Sequence, residues 1–351
     1  MTRNEDIQEI DIDELPEDPW DEITLHLIHD SKIDQDFANA NAQKCGRKKR
    51  KDRWMSIANE IPNLILQLQQ QHLRERSLKL LSDFLLQKRE EDPDNYHSTA
   101  YLLYNSCSTM TILLQEVLAI FRMMVDGSLT ARASMRVVNV LTLFQCIAAN
   151  KETRHKFVNS SVPNFLVPLI LFECPLDVFE NVRAVTLSVV GILCQARESN
   201  VIQWAVESNL VEVCHISIEI GNELSKVIGM HILEAILQDD SGISNICSPV
   251  CDHLLKELMR TWDHLVTLLA VDQDFSPRLL FHVIRCYVLL CNNVGGYRSI
   301  TEGLPDPIIS GSFHDIAEKF PVIGSLLRQL LLTVGRTNNC ILASESINLQ
   351  V

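Results

Sequence analysis

The densest group of side chains able to ligate or attack is Cys247, Cys251 and His253, with His264 downstream. A C-x3-C-x-H run offers two thiolates and an imidazole to zinc, but a structural zinc site needs a second tight pair of ligands, which the run lacks. Cysteines at i, i+4 are equally what a buried helix face shows. His215, His231 and His282 each fall inside a long apolar helical pattern, where a histidine satisfied in the core or lining a groove is expected. The sequence contains no Gly-rich phosphate loop, no nucleophile elbow and no helical pair of histidines flanking a glutamate. These residues predict a binding protein with no catalytic residues, no metal and no cofactor.

A second cluster is electrostatic. Arg47, Lys48, Lys49, Arg50 and Lys51 stand in a row after a strongly acidic stretch that carries Pro16 and Pro19. Such a cluster serves nuclear import, contacts nucleic acid, or forms a solvated linker that offsets the acidic arm before it. The formal net charge of −14 argues against a protein whose main work is coating phosphates, where a basic footprint is expected. Residues 1–51 hold too little apolar material to order themselves and read as a disordered acidic arm, though Trp20, Ile23, Leu27 and Ile28 can make one amphipathic face.

What must position any site is a set of helices. Ser108 to Arg154 carries two helical patterns divided at Asp126-Gly127, with Ile112, Leu113, Val117 and Ile120 before the turn and Val137, Val140, Leu141 and Phe144 after it. Both are apolar over most of their surface, as helices in the middle of a stack are. A polar corner follows, and it returns: Asn150, Ala196, Asp239 and Asn292 each open a short helix after a long apolar one, at steps close to the roughly 40 to 47 residues of armadillo and HEAT units. The fold predicted is an all-α helical solenoid of about six repeats over residues 52–334, ending in a polar tail, 335–351. The polar stretch Glu90 to His97, with Pro93, reads as a connection between helices.

Most of the eleven cysteines lie in apolar helical patterns, as small hydrophobes do. No run reaches the roughly 18 uncharged apolar residues of a membrane span, and the acidic N-terminus has no apolar signal region. The expectation is a soluble chain in a reducing compartment, cytoplasmic with nuclear entry left open. Arg136, Asn139, Gln145, Lys226, His282 and Arg285 recur about once per long helix. Such residues either hydrogen-bond a peptide along the concave face or bond the ends of neighbouring repeats.

Several segments carry a resemblance. LLQEVLAIF from Leu113, RVVNVLTLFQCIAANKETR from Arg136, ELSKVIGMHILEAILQDDSG from Glu223, PRLLFHVIRCYVLL from Pro277 and GLPD from Gly303 are, in this order, similar to the armadillo-repeat subunit of the eukaryotic Ccr-Not deadenylase complex, the "required for cell differentiation" family. The likeness covers about residues 52 to 334. It implies a non-enzymatic crescent of six armadillo-like repeats that docks on the large Not scaffold subunit. The same crescent recruits peptide motifs of RNA-binding and silencing proteins for mRNA deadenylation, decay and translational repression. A direct nucleic-acid-binding solenoid acting in transcription is the alternative, and a homodimer is left open.

The resemblance also assigns positions, and this chain departs at many of them. The scaffold-docking positions are Asn105, Cys107 and Thr111, where the family commonly has His, Phe and Ala. The peptide groove is assigned to Asn181, Arg183, Ser188 and Val227, with an aromatic of the family replaced by Asn181 and a glycine by Ser188. The family's tryptophan-accepting pockets fall on Val250, Asp252, Gly295 and Tyr297, and its arginines there are replaced by Asp252, Gly295 and Tyr297. A diverged paralogue with weakened capture of tryptophan motifs is the expectation.

Overall fold

The structure, a computed structural model, describes residues 60–173, 177–271 and 276–335. The acidic arm, the basic cluster from Arg47 to Lys51 and the tail after residue 335 lie outside the described residues. Among those described, every regular element is helical. They form two compact units divided between Ala196 and Arg197.

The first unit holds α1 (Gln71–Glu91), α2 (Pro93–Asn105), α3 (Thr109–Val125), α4 (Ala131–Ala149), α5 (Lys151–Asn159), a 3-10 turn at Val162–Leu166, α6 (Val167–Leu171) and α7 (Asp177–Gln195). Its centre is α4, which packs against α1, α2, α3, α5 and α7. The reason is legible in its residues: every side chain from Val137 to Ala148 is buried, so no face is left for water. Each buried Leu, Ile, Val or Phe of that run contributes about 1.5–3 kcal/mol relative to exposure. Phe144 stacks at a tilt on Phe157 of α5, ring centroids 5.3 Å apart. The turn at Asp126-Gly127 is confirmed, with Gly127 at φ 63°, and the Thr130 hydroxyl then caps α4 by accepting from the Ala133 amide at 3.2 Å.

One expectation is corrected. Glu90 to His97 is not a connection, because α1 runs through Glu91 and α2 starts at Pro93, leaving Asp92 alone between them. Proline at the first helical position has no amide to leave unsatisfied, and the Asp92 carboxylate accepts from the Asn95 amide. The proline read as part of a connection begins a helix.

The second unit holds α8 (Ser199–Glu207), α9 (Leu210–Ile220), α10 (Glu223–Leu237), α11 (Asp240–Ile246), a 3-10 turn at Pro249–Cys251, α12 (Asp252–Val271), α13 (Pro277–Leu290), α14 (Val294–Gly303), α15 (Asp306–Ser310), α16 (His314–Lys319) and α17 (Pro321–Thr333). Here α13 takes the central place, packed against α10, α12, α14 and α17, with every residue from Arg278 to Leu290 buried.

The repeat shows itself at the corners. Asn150, Asp239 and Asn293 each cap a short helix with a side-chain oxygen on two backbone amides. Three residues after each cap, the chain presses on a carbonyl of the preceding long helix. At Gly242 and Gly296 an added Cβ would lie 2.1 Å from the Ile236 oxygen and 2.3 Å from the Leu290 oxygen, so only glycine fits. In the earlier repeat the same place is Thr153, whose hydroxyl donates to the Ile147 carbonyl at 2.7 Å. One structural need is met by contact in two repeats and by a hydrogen bond in the third.

Candidate docking surface

The three assigned scaffold-docking residues share the corner between α2 and α3, where the two helix axes bend by 86°. Asn105 closes α2 by donating from Nδ2 to the Tyr101 carbonyl at 2.8 Å. Ser106 does the same to the Leu102 carbonyl at 2.6 Å. Ser108 then takes a left-handed conformation, φ 63°, which reverses the chain into α3 at a cost of roughly 1–2 kcal/mol for a residue with a Cβ. From α1's approach, Gln69 Nε2 donates to the Cys107 carbonyl at 3.3 Å. Asn105, Cys107 and Thr111 are all exposed, and they are joined by Tyr101 at 45% exposure and Leu102 at 38%. Leu118, two turns beyond Thr111 on α3, is 40% exposed. The corner therefore presents small polar groups flanked by exposed apolar side chains, on a backbone tied down by caps.

The positions assigned to the peptide groove sit differently. Arg183 is 1% exposed and spends its guanidinium inside the first unit: Nε donates to the Ile170 carbonyl at 3.0 Å, Nη2 to the Phe172 carbonyl at 2.6 Å, and Nη1 bonds Glu180. It closes the open carbonyl end of α6, which its own short helix leaves unsatisfied. Ser188 is buried and accepts from Gln145 across the α4–α7 contact, and Val227 is buried at 3%. Only Asn181 keeps partial exposure. As a correction, Arg183, Ser188 and Val227 belong to the packing between helices in these units and do not present open side chains.

The tryptophan-pocket positions gather at the start of α14 and the turn before α12. Val250 is 92% exposed, Asp252 is exposed and pairs with Lys256 at 2.6 Å, and Gly295 and Tyr297 are half-buried. A Cβ on Gly295 would stand 3.1 Å from the Cys247 carbonyl, which shows how closely the two segments approach. Cys247 is half-buried there, and burial pushes its thiol up to about 11. The C-x3-C-x-H residues are not drawn together as ligands, since His253 and His264 are exposed on α12.

Of the polar residues inside the apolar helices, Arg136, Gln145, Lys226, His282 and Arg285 follow the second of the two readings above. Arg136 donates to Glu116 at 2.5 and 2.9 Å, and Arg74 reaches the same carboxylate at 3.0 Å. Lys226 bonds the Ile218 and Glu219 carbonyls at the end of α9. In the second unit His282 Nδ1 lies 2.9 Å from Glu234 Oε2, and Arg285 Nη2 lies 3.0 Å from Glu234 Oε1. Burial would raise the Glu234 carboxyl, but the His282 hydrogen bond and the charges of His282, Arg285 and His231 outweigh it and hold the group below the ordinary carboxylate range. These side chains bind helix to helix. Sequence reading took the histidines one at a time, and no local signal links Glu234 with a partner 48 residues later.

The family model described as "Cell differentiation family, Rcd1-like" matches residues 64–334. The chain belongs to this family. The Rcd1-like chain is 32% identical over 271 residues to "Cell differentiation protein rcd1" of Schizosaccharomyces pombe, covering 77% of this chain and 92% of that one. It is 31% identical over 253 residues to "Protein CAF40" of Saccharomyces cerevisiae, covering 71% of this chain and spanning 65% of that relative's length. Among solved structures, a designed armadillo repeat protein, YIII(Dq)4CqI, matches with a TM-score of 0.55 at 12% identity, covering 78% of this chain and all of that one. That likeness shows the fold, an armadillo-like helical solenoid.

Proposed function

We propose that this Rcd1-like chain is a non-catalytic adaptor of a Ccr-Not-type deadenylase complex, acting in mRNA decay and translational repression. It docks the large Not scaffold through the α2–α3 corner and engages short peptide motifs of RNA-regulatory proteins elsewhere. The family membership supports the complex, and the observation that carries the docking mode is the joint exposure of Asn105, Cys107 and Thr111 beside Tyr101 and Leu102. A face of this kind gains affinity from large apolar anchors, and Cys107 supplies a small one. The basic residues Arg47 to Lys51 then give the adaptor a nuclear pool beside its cytoplasmic one.

Titration against a purified fragment of the Not scaffold tests the docking mode. Changing Cys107→Phe together with Asn105→His should tighten binding, since a buried aromatic anchor at an interface centre contributes about 2 kcal/mol or more, over tenfold in Kd. Tyr101→Ala with Leu102→Ala should weaken it. Equal or poorer binding by the first variant removes the lost-anchor reading, and an unchanged Kd in the second removes the corner itself as the contact.

A further inference from the structure

One cluster in the second unit has no place in adaptor docking. His231 and Glu234 lie three residues apart on α10, so both project from the same face of that helix. His282 meets them from α13, the helix packed along α10. One ligand atom from each of the three falls within 4.8 Å of the others, and no second group of this kind occurs among the described residues. The His231 and His282 rings stand edge to face at 77°, centroids 5.7 Å apart.

We propose that His231, Glu234 and His282 form a zinc-class metal site that clasps α10 to α13. Two imidazole nitrogens and one carboxylate oxygen are the donor set of three-ligand zinc sites, with water in the fourth position. The same set suits other late first-row divalent ions and does not suit calcium or magnesium, which take more oxygens in wider or octahedral shells. Glu234 is 5% and His282 0% exposed, whereas His231 is half-buried and opens the path from solvent. Arg285, at 3.0 Å from Glu234 Oε1, fixes the carboxylate and leaves Oε2 turned to the histidines, as an outer-sphere partner does. Its charge opposes the ion, so micromolar rather than nanomolar affinity is expected.

Little must move. The Nδ1 and Oε2 atoms stand 2.9 Å apart with a proton between them. Tetrahedral bonds of about 2.0–2.1 Å require roughly 3.3 Å between ligand atoms, so the His282–Glu234 pair opens by a few tenths of an ångström as the ion replaces the bridging proton, while the half-buried His231, within 4.8 Å of the other two, swings in to complete the set. That proton leaves to solvent, and no electrons are transferred.

The test uses the full, tag-free chain stripped with chelator and dialysed. Titration calorimetry with zinc chloride should give one equivalent bound with proton release, while calcium and magnesium give none. Cobalt(II) should produce a visible spectrum of nitrogen and oxygen ligation with no thiolate charge-transfer band. His231→Gln removes the ring contact with His282 but leaves the Glu234 bonds to His282 and Arg285 in place, and should weaken zinc at least tenfold. Cys247→Ser with Cys251→Ser should bind as wild type does. If the variant at 231 misfolds by circular dichroism, the zinc-dependent rise of the wild-type unfolding midpoint and the cobalt spectrum still decide. Absence of a stoichiometric equivalent, a thiolate band, or wild-type affinity in His231→Gln overturns the proposal.

Discussion

Glu116 in the first unit and Glu234 in the second are both buried glutamates held by cations from neighbouring helices, yet they are built for different surroundings. Glu116 joins three helices, taking Arg74 from α1 and Arg136 from α4. Those arginines keep 15% and 30% of their side chains in water, and Arg136 also reaches Glu75 at 3.6 Å. Glu234 joins two helices, and its partners Arg285 and His282 are 6% and 0% exposed. At the rim of a stack long arginines snorkel and the charge stays partly hydrated. In its interior the charges must satisfy one another, since desolvation there costs several kcal/mol per ion. The same acid–base clasp should therefore tolerate loss better at the rim than at the centre.

The sharpest way to break that contrast is Glu234→Ala. It leaves Arg285 and His282 facing each other without an anion in a dry contact, and should cost about 3–5 kcal/mol. Thermal unfolding followed by circular dichroism reads this, and a drop equal to that of the matching variant in the first unit would erase the distinction. Glu116→Ala should cost less, about 1.5–3 kcal/mol, because Arg74 and Arg136 can turn toward water.

A further test compares thiols. Among the described cysteines, Cys107 is exposed at the corner and should react with a maleimide first, at neutral pH. Burial raises Cys247 to about 11 and Cys194 to about 12, so their thiolate fraction is small at neutral pH and grows only as pH climbs toward those values. Mass spectrometry of timed alkylation checks the order, and early labelling of Cys194 would mean that the first unit opens more readily than its packing allows. The smallest effect belongs to Arg132, which pairs with Glu75 through two 2.7 Å bonds while 80% exposed. Arg132→Ala should leave the unfolding midpoint unchanged within error, and raising the salt should not alter that result.

Local information fixed much of this molecule before any contact was known. Periodicity placed α3 and α4 on either side of the Asp126-Gly127 turn, and corner residues such as Asn150 and Asp239 announced short helices, because capping and amphipathic spacing act within one or two turns of chain. Pro93 was misread for a local reason as well: proline ends a helix or begins one, and the deciding bond from Asn95 to Asp92 is not visible in composition. Only tertiary structure decided which polar residues face outward. Arg183 reads as a groove residue until the carbonyls of Ile170 and Phe172 are found waiting for it, and His231, Glu234 and His282 become a cluster only when α10 lies along α13. Sequence spacing defines a helix face, but which neighbour covers that face depends on packing between elements tens of residues apart. That packing decides whether the same side chain faces water or clasps one helix to another.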